Sequence, residues 1–364
     1  MSIVFRKLFV FLLVFFFLSP SASLATNAAR GSNLVILSTC HKHAPHQSAR
    51  GKSGLTGFSS RKKPISTASK REPSHRLLSK KSLRKKLSSK SAMIMDGRTG
   101  ETLYAYSPDQ QGQPASTIKV LTGIIAIDAL RDTEMIQISR RAARMPRSKI
   151  YLETGKSYPA NDLINAVLLA SANDASVALA EKIGGSENEF AKKMTLKARS
   201  YGAWSTVCKT ASGLTARGQK ATVRDLALIF NNAMKNPEFA RRMSRAKVKT
   251  RYGKVLRSHN KALWRIAGAE AGKTGYTRAA RQTYVGSFKR GNVELIVAIM
   301  GSETMWGDIA NLVEYGFAKK HQKEQAMATV AVATSSKYAS LDISPLGQNR
   351  SLRVLTDYKK VSKF

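Results

Sequence analysis

A chain of 364 residues with 43% hydrophobic content can bury one large core, or one core with appendages. Its 61 Lys and Arg against 23 Asp and Glu give a formal net charge of +38, a bias that predicts a polyanionic partner: nucleic acid, an anionic membrane surface or an acidic wall polymer. No nucleic-acid-binding motif stands out and an export signal opens the chain, so nucleic acid is not expected. Two cysteines, Cys40 and Cys208, exclude a disulfide framework and a zinc ligand set; a bond between them would join a tail to the folded domain and is not expected.

Residues 1–29 read as a signal peptide. Arg6 and Lys7 supply positive charge, Leu8 to Leu18 form an unbroken apolar run, and Ser19-Pro20-Ser21-Ala22-Ser23-Leu24-Ala25 offers small residues for cleavage. That run is too short to span a bilayer. Residues 30–90 read as a basic disordered linker: from His41 to Lys90 there are fifteen Lys or Arg and a single acid, Glu72. Such a segment cannot bury enough surface to offset its conformational entropy. It reads as a tether to an anionic wall polymer or membrane surface, each cation near lipid head groups contributing about 1 kcal/mol. The trio His41, His43 and His46 reads as incidental.

Folded sequence is expected over 91–319. Ala92 to Met95 and Thr102 to Tyr106 flank the turn formers Asp96-Gly97-Arg98-Thr99-Gly100 and predict a β-hairpin. Helical periodicity follows from Ser116 to about Leu130, then over 161–170, 175–183, 187–201 and 222–234. Beyond Lys261 the period becomes that of strands, at 273–277, 283–288 and 293–300, the last two joined at Arg290-Gly291-Asn292. A closing helix, Ile309 to Phe317, is expected to lie on the sheet beside the Ser116 helix. The pattern is α+β: an antiparallel sheet flanked by helices, built from both ends of the domain, with a helical lobe inserted between. Residues 320–364 remain as a poorly defined C-terminal tail, in which Leu352 to Phe364 is only weakly amphipathic.

Three short motifs carry chemistry. Pro114-Ala115-Ser116-Thr117-Ile118-Lys119 puts a hydroxyl and an amine on one helical face, which is one way to activate a nucleophile without histidine. Ser-x-x-Lys alone is weak, since Ser59/Lys62, Ser60/Lys63, Ser82/Lys85 and Ser258/Lys261 share it. Only Ser116 is followed in order by Ser171-Ala172-Asn173-Asp174 and by Gly272-Lys273-Thr274-Gly275-Tyr276-Thr277.

With these motifs, Ser212-Gly213-Leu214, Arg224-Asp225-Leu226-Ala227 and Glu314-Tyr315-Gly316-Phe317, residues of about 92 to 318 resemble the D-alanyl-D-alanine carboxypeptidases, the low-molecular-weight penicillin-binding proteins. The resemblance implies a β-lactamase/transpeptidase-like fold without cofactor or metal. It implies a periplasmic or cell-envelope enzyme whose substrate is a peptidoglycan stem peptide ending in D-Ala-D-Ala, and which β-lactam antibiotics inhibit covalently. Ser116 would be the nucleophile. Lys119 would be its general base, provided that desolvation and the nearby cation Lys273 leave the amine neutral. Ser171 would relay a proton to the leaving amine and Asn173 would hold the substrate backbone. Lys273 and Thr274 would bind the terminal carboxylate, Gly275 would let substrate lie close to the strand, and the N–H groups of Ser116 and Tyr276 would form an oxyanion hole.

His259 is the only one of six histidines inside the expected folded domain, which counts against a serine-protease triad and a zinc peptidase. His259 and Glu303 stand where the family pattern leads one to expect Arg, and Arg281 where a small residue is expected. Two alternatives stay open. A serine β-lactamase would also need a positioned Glu, and no convincing Glu-x-x-Leu-Asn lies between Asn173 and Lys273. A non-catalytic wall-binding protein would keep the fold and rely on the basic arm.

Overall fold

The computed structural model describes residues 78–339, with side chains as far as Thr334. The signal peptide, the linker up to residue 77, Cys40, the His41–His46 trio and Leu352 to Phe364 lie outside the described residues. Helix α1 (Lys80–Lys85) comes first, capped by Ser79, whose hydroxyl accepts from Ser82 N. The hairpin β1 (Ser91–Asp96) and β2 (Thr102–Tyr106) leads through a 3₁₀ turn (Ala115–Ile118) into α2 (Lys119–Ala129). The lobe adds β3 (Met135–Gln137), α3 (Arg140–Ala143), β4 (Ser157–Pro159), α4 (Ala160–Leu168), α5 (Asn173–Gly184) and α6 (Glu187–Ser200). It continues through α7 (Val223–Met234), α8 (Pro237–Met243), the hairpin β5 (Lys247–Lys249) and β6 (Val255–Arg257), and α9 (Ala262–Arg265). The chain then returns through β7 (Ala269–Thr277), β8 (Arg281–Arg290) and β9 (Val293–Ser302), and ends in α10 (Met305–Ala339).

The main sheet has the order β2-β1-β9-β8-β7 with every neighbouring pair antiparallel. Strands from the two ends of the domain meet at the β1–β9 pairing, where Ile94 faces Val297. All six residues of β1 are buried, because the sheet is covered on both sides. Met93 and Met95 face the lobe together with Ile296 and Ala298. Ala92 and Ile94 face the other way with Leu295 and Val297, towards α10.

Two expectations are corrected here. The closing helix does not lie beside the Ser116 helix. Its Ile309, Leu312 and Val313 pack on the opposite face of the sheet, while α2 and α7 belong to the lobe-side core. The helix is also far longer than 309–317, and its Lys320 and Lys323 pair with Asp96 and Glu101 of the first hairpin. The second correction concerns residues 78–90, which are not linker. Leu83 is wholly buried and Leu87 nearly so, in one cluster with Ile309 and Leu312. Burial of one such side chain contributes about 1.5–3 kcal/mol, enough to order a short basic helix whose composition alone reads as solvated.

Candidate active site

The 3₁₀ turn that carries Ser116 is pinned from three sides. Pro114 O accepts from Thr117 Oγ1 at 2.6 Å and from Thr283 Oγ1 of β8 at 2.9 Å, which ties the turn to the sheet. Ala115 adopts the left-handed conformation, φ +49°, a strained choice for a residue with a β-carbon. Two glycines close around it. An added Cβ on Gly213 would stand 2.0 Å from Ala115 O, and one on Gly275 would stand 2.7 Å from Ser116 N and 3.0 Å from Ala115 Cβ. Gly275 therefore serves close packing of β7 on the turn; its missing side chain would point at Ser116 and not at a substrate along the strand.

Lys119, the first residue of α2, is fully buried. Its Nζ lies 2.9 Å from Ser116 Oγ, 2.8 Å from Asn173 Oδ1 and 2.6 Å from Ser212 O. Burial first, and the neighbouring Lys273 ammonium second, hold its pKa well below the usual lysine value, against a smaller opposing pull from Asp174. Two of the three partners are carbonyl oxygens that can only accept. A neutral amine has two hydrogens for them and one lone pair, which is then left for the Ser116 hydroxyl.

Asn173 opens α5, and both ends of its amide are occupied. Oδ1 accepts from Lys119, while Nδ2 donates to Pro146 O and Arg147 O, each at 3.0 Å. The amide thus orients Lys119 and holds the 146–148 segment as one wall of the cleft. Next to it, the Asp174 carboxylate accepts from Ile150 N and Leu152 N and fixes the continuation of that wall.

Ser171 stands at φ +55° between α4 and α5, and its Oγ accepts from Lys273 Nζ at 2.9 Å. Lys273, paired with Val285 in the β7–β8 ladder, is buried, and burial lowers its pKa to about 7. Ser116, Ser171, Asn173, Thr274, Gly275 and exposed Tyr276 line one cleft of about 500 Å³, with Lys119 and Lys273 beneath its floor. His259 lines the same cleft; desolvation by the surrounding protein, then Lys273 and Lys119, push its pKa down to about 4, so it is neutral at pH 7.

Several contributors have no role in the sequence expectation. Ser212 O is a backbone acceptor and leaves no mark in side-chain patterns. Arg147, Ser148 and Trp306 line the cleft from a loop and from the start of α10. Asp174 and Gly213 stood beside recognised residues, and their positions within Ser171-Ala172-Asn173-Asp174 and Ser212-Gly213-Leu214 were the available sign. Arg281 and Glu303, two of the three residues that depart from the family pattern, form a two-pronged pair at 2.8 and 2.5 Å. The Glu303 charge is thereby matched, and neither residue lines the cleft. Cys208 is buried and unbridged, its thiol pushed up to about 12 by burial.

Residues 78–304 match the family model described as D-alanyl-D-alanine carboxypeptidase. The chain is 36% identical over 241 residues to D-alanyl-D-alanine carboxypeptidase DacB2 of Mycobacterium tuberculosis, covering 63% of this chain and 82% of that protein. It is 30% identical over 266 residues to DacF of Bacillus subtilis, covering 67% of each. Its fold is similar to the crystal structure of a D-alanyl-D-alanine carboxypeptidase from Mycobacterium tuberculosis, with a TM-score of 0.61 at 34% identity over 63% of this chain and 91% of that one. It is also similar to penicillin-binding protein D2 of Listeria monocytogenes in its ampicillin-bound form, with a TM-score of 0.59 at 29% identity over 64% of this chain and 98% of that one.

Proposed function

The chain belongs to the D-alanyl-D-alanine carboxypeptidase family, and from that premise we propose how its own residues run the reaction. The protein is a serine hydrolase that removes the terminal D-Ala from peptidoglycan stem peptides ending in D-Ala-D-Ala. Lys119 takes the proton of Ser116 Oγ as the oxygen attacks the carbonyl carbon of the penultimate D-Ala. The backbone N–H groups of Ser116 and Tyr276 hold the oxyanion. The C–N bond then breaks, and the proton reaches the departing amine through the Ser171 hydroxyl. Water hydrolyses the resulting ester, with Lys119 again accepting a proton. Lys273 and Thr274 hold the terminal carboxylate during the first half of the cycle.

The observation that supports this reading best is the hydrogen-bond environment of Lys119: two obligate acceptors and one hydroxyl around a buried amine. No Asp or Glu lines the cleft among the described residues. That favours slow release of a β-lactam adduct over β-lactamase turnover. A fluorescent penicillin is expected to label Ser116, and Ser116→Ala to lose both the label and D-alanine release from a pentapeptide ending in D-Ala-D-Ala. Label that survives the substitution rejects Ser116 as nucleophile.

Residues 1–29 support export to the periplasm or cell envelope, and the basic stretch that begins at His41 supports retention there on an anionic wall polymer or membrane surface. The retaining segment is narrowed from 41–90 to 41–77, since residues 78–90 are part of the fold. Deleting 41–77 is expected to weaken retention on anionic wall or membrane at low salt while peptide hydrolysis stays intact. Unchanged retention would reject the tether.

A further inference from the structure

The folded domain carries a basic surface of its own. Between Arg140 and Leu152 there are five Arg or Lys and no acid; between Ala246 and Ser258 there are again five and none. The fold brings these two stretches together beside the cleft. Lys254 of the β5–β6 hairpin donates to Ile150 O, and Tyr252 of the same hairpin donates to Ser157 O at 3.2 Å. Lys149 and Lys254 place their ammonium groups 5.4 and 5.3 Å from the centre of one ring, that of Tyr151.

Three features mark this flank as more than a solvated face. Arg147, Lys149, Lys247, Lys249, Arg251 and Lys254 have no carboxylate partner among the ion pairs of the described residues. Asp162 and Asp174, two carboxylates at the flank, are occupied by backbone N–H groups of Arg251, Ile150 and Leu152, and Glu153, next to the wall, is paired with Lys156. Tyr151, 57% exposed, is held in the left-handed region at φ +62°, which is costly for an aromatic residue and fixes its ring outward between the cations.

We infer that this flank, the 147–151 wall and the β5–β6 hairpin, is a docking surface for an anionic polysaccharide or polyol polymer bearing repeated phosphate or carboxylate groups. Clustered ammonium and guanidinium groups supply the anion contacts, and the exposed rings of Tyr151 and Tyr252 supply flat faces for sugar or polyol carbons. A strand-like partner fits better than a lipid surface. Arg147 and Ser148 belong to the flank and also line the cleft, so a flat membrane pressed on them would cover the opening, whereas a polymer can run past it. The inference does not depend on the catalytic assignments, and Ser116→Ala is expected to bind as the wild type does.

The test uses the full chain and two soluble probes, inorganic polyphosphate and polygalacturonate. A hairpin variant combining Lys247→Gln, Lys249→Gln, Arg251→Gln and Lys254→Gln is compared with an arm variant combining Lys62→Gln, Lys63→Gln, Lys70→Gln and Arg71→Gln. The hairpin variant is expected to bind at least tenfold more weakly at low salt, with unchanged penicillin labelling as the check on folding. In the wild type, bound polymer is expected to slow chemical acetylation of Lys149, Lys247, Lys249 and Lys254. The probe bound more tightly identifies the anion. Wild-type affinity in the hairpin variant, with protection confined to the arm, overturns the inference; so does protection of these lysines by anionic vesicles or single-stranded DNA but by neither polymer.

Discussion

A β-carbon on Gly213 would stand 2.0 Å from the carbonyl oxygen of Ala115, the residue before the nucleophile. The loop after α6 and the 3₁₀ turn are thus in backbone contact, and Gly213 is at φ +75° as well. Gly213→Ala adds both a clash and a left-handed strain. It is expected to destabilise the domain by ~1–3 kcal/mol and to slow penicillin acylation at least tenfold, because the turn must move. Thermal unfolding and labelling kinetics check this; an alanine variant that labels at the wild-type rate shows that the contact does not position Ser116.

Lys119→Ala removes the amine and leaves its space open. Acylation of Ser116 is expected to fall by roughly 10²–10⁴-fold, the usual worth of a general base. Added propylamine is expected to restore part of the rate, more strongly at higher pH where the free amine is neutral. Rescue measured by stopped-flow labelling separates a proton acceptor from a residue that only supports the fold.

The acidity of Lys273 gives a pH dependence with a definite sign. Burial lowers its pKa to about 7, so its charge is present below that pH and lost above it. The kcat/KM for a peptide ending in a carboxylate is expected to fall as the pH rises through neutrality. A peptide ending in a carboxamide has no anion to lose its partner, and its profile is expected to lack that alkaline limb. Identical profiles for the two peptides reject Lys273 as the carboxylate contact.

The boundary at residue 78 is testable without chemistry. Leu83→Ala is expected to cost ~2–5 kcal/mol, since Leu83 is fully enclosed by the α10 cluster. A chain starting at residue 78 is expected to melt as the full chain does, and one starting at residue 91 several degrees lower. Equal melting temperatures for the two truncations would return α1 to the linker.

Much of this was legible in the sequence for identifiable reasons. Strands β7, β8 and β9 and helices α2, α4, α5, α6 and α7 are long enough for periodicity to show. The three motifs mark the cleft because their residue types and order are distinctive. What escaped was of three kinds. The three-residue strands β3, β4, β5 and β6 are too short to carry a period. Helix α1 is basic enough to read as a solvated segment, and only its Leu83 and Leu87 in their tertiary setting reveal burial. The third kind is backbone: Ser212 O, the left-handed Ala115 and Ser171, and the reach of Gly275 towards Ser116 N are facts about main-chain geometry. The face of the sheet taken by α10 likewise depends on the register of β1 and β9, not on the helix's own pattern.

The main sheet joins β1 and β2, made early, to β9 and β8, made some two hundred residues later. Thr283 of β8 and Gly275 of β7, which fix the Ser116 turn, are made equally late. A growing chain therefore holds its serine and its lysine long before it can use them, and the hydrolase is latent until the late strands of the main sheet have been synthesised. Arrested chains that stop before β7 would be inert towards penicillin, and those that extend beyond β9 would be the first to react.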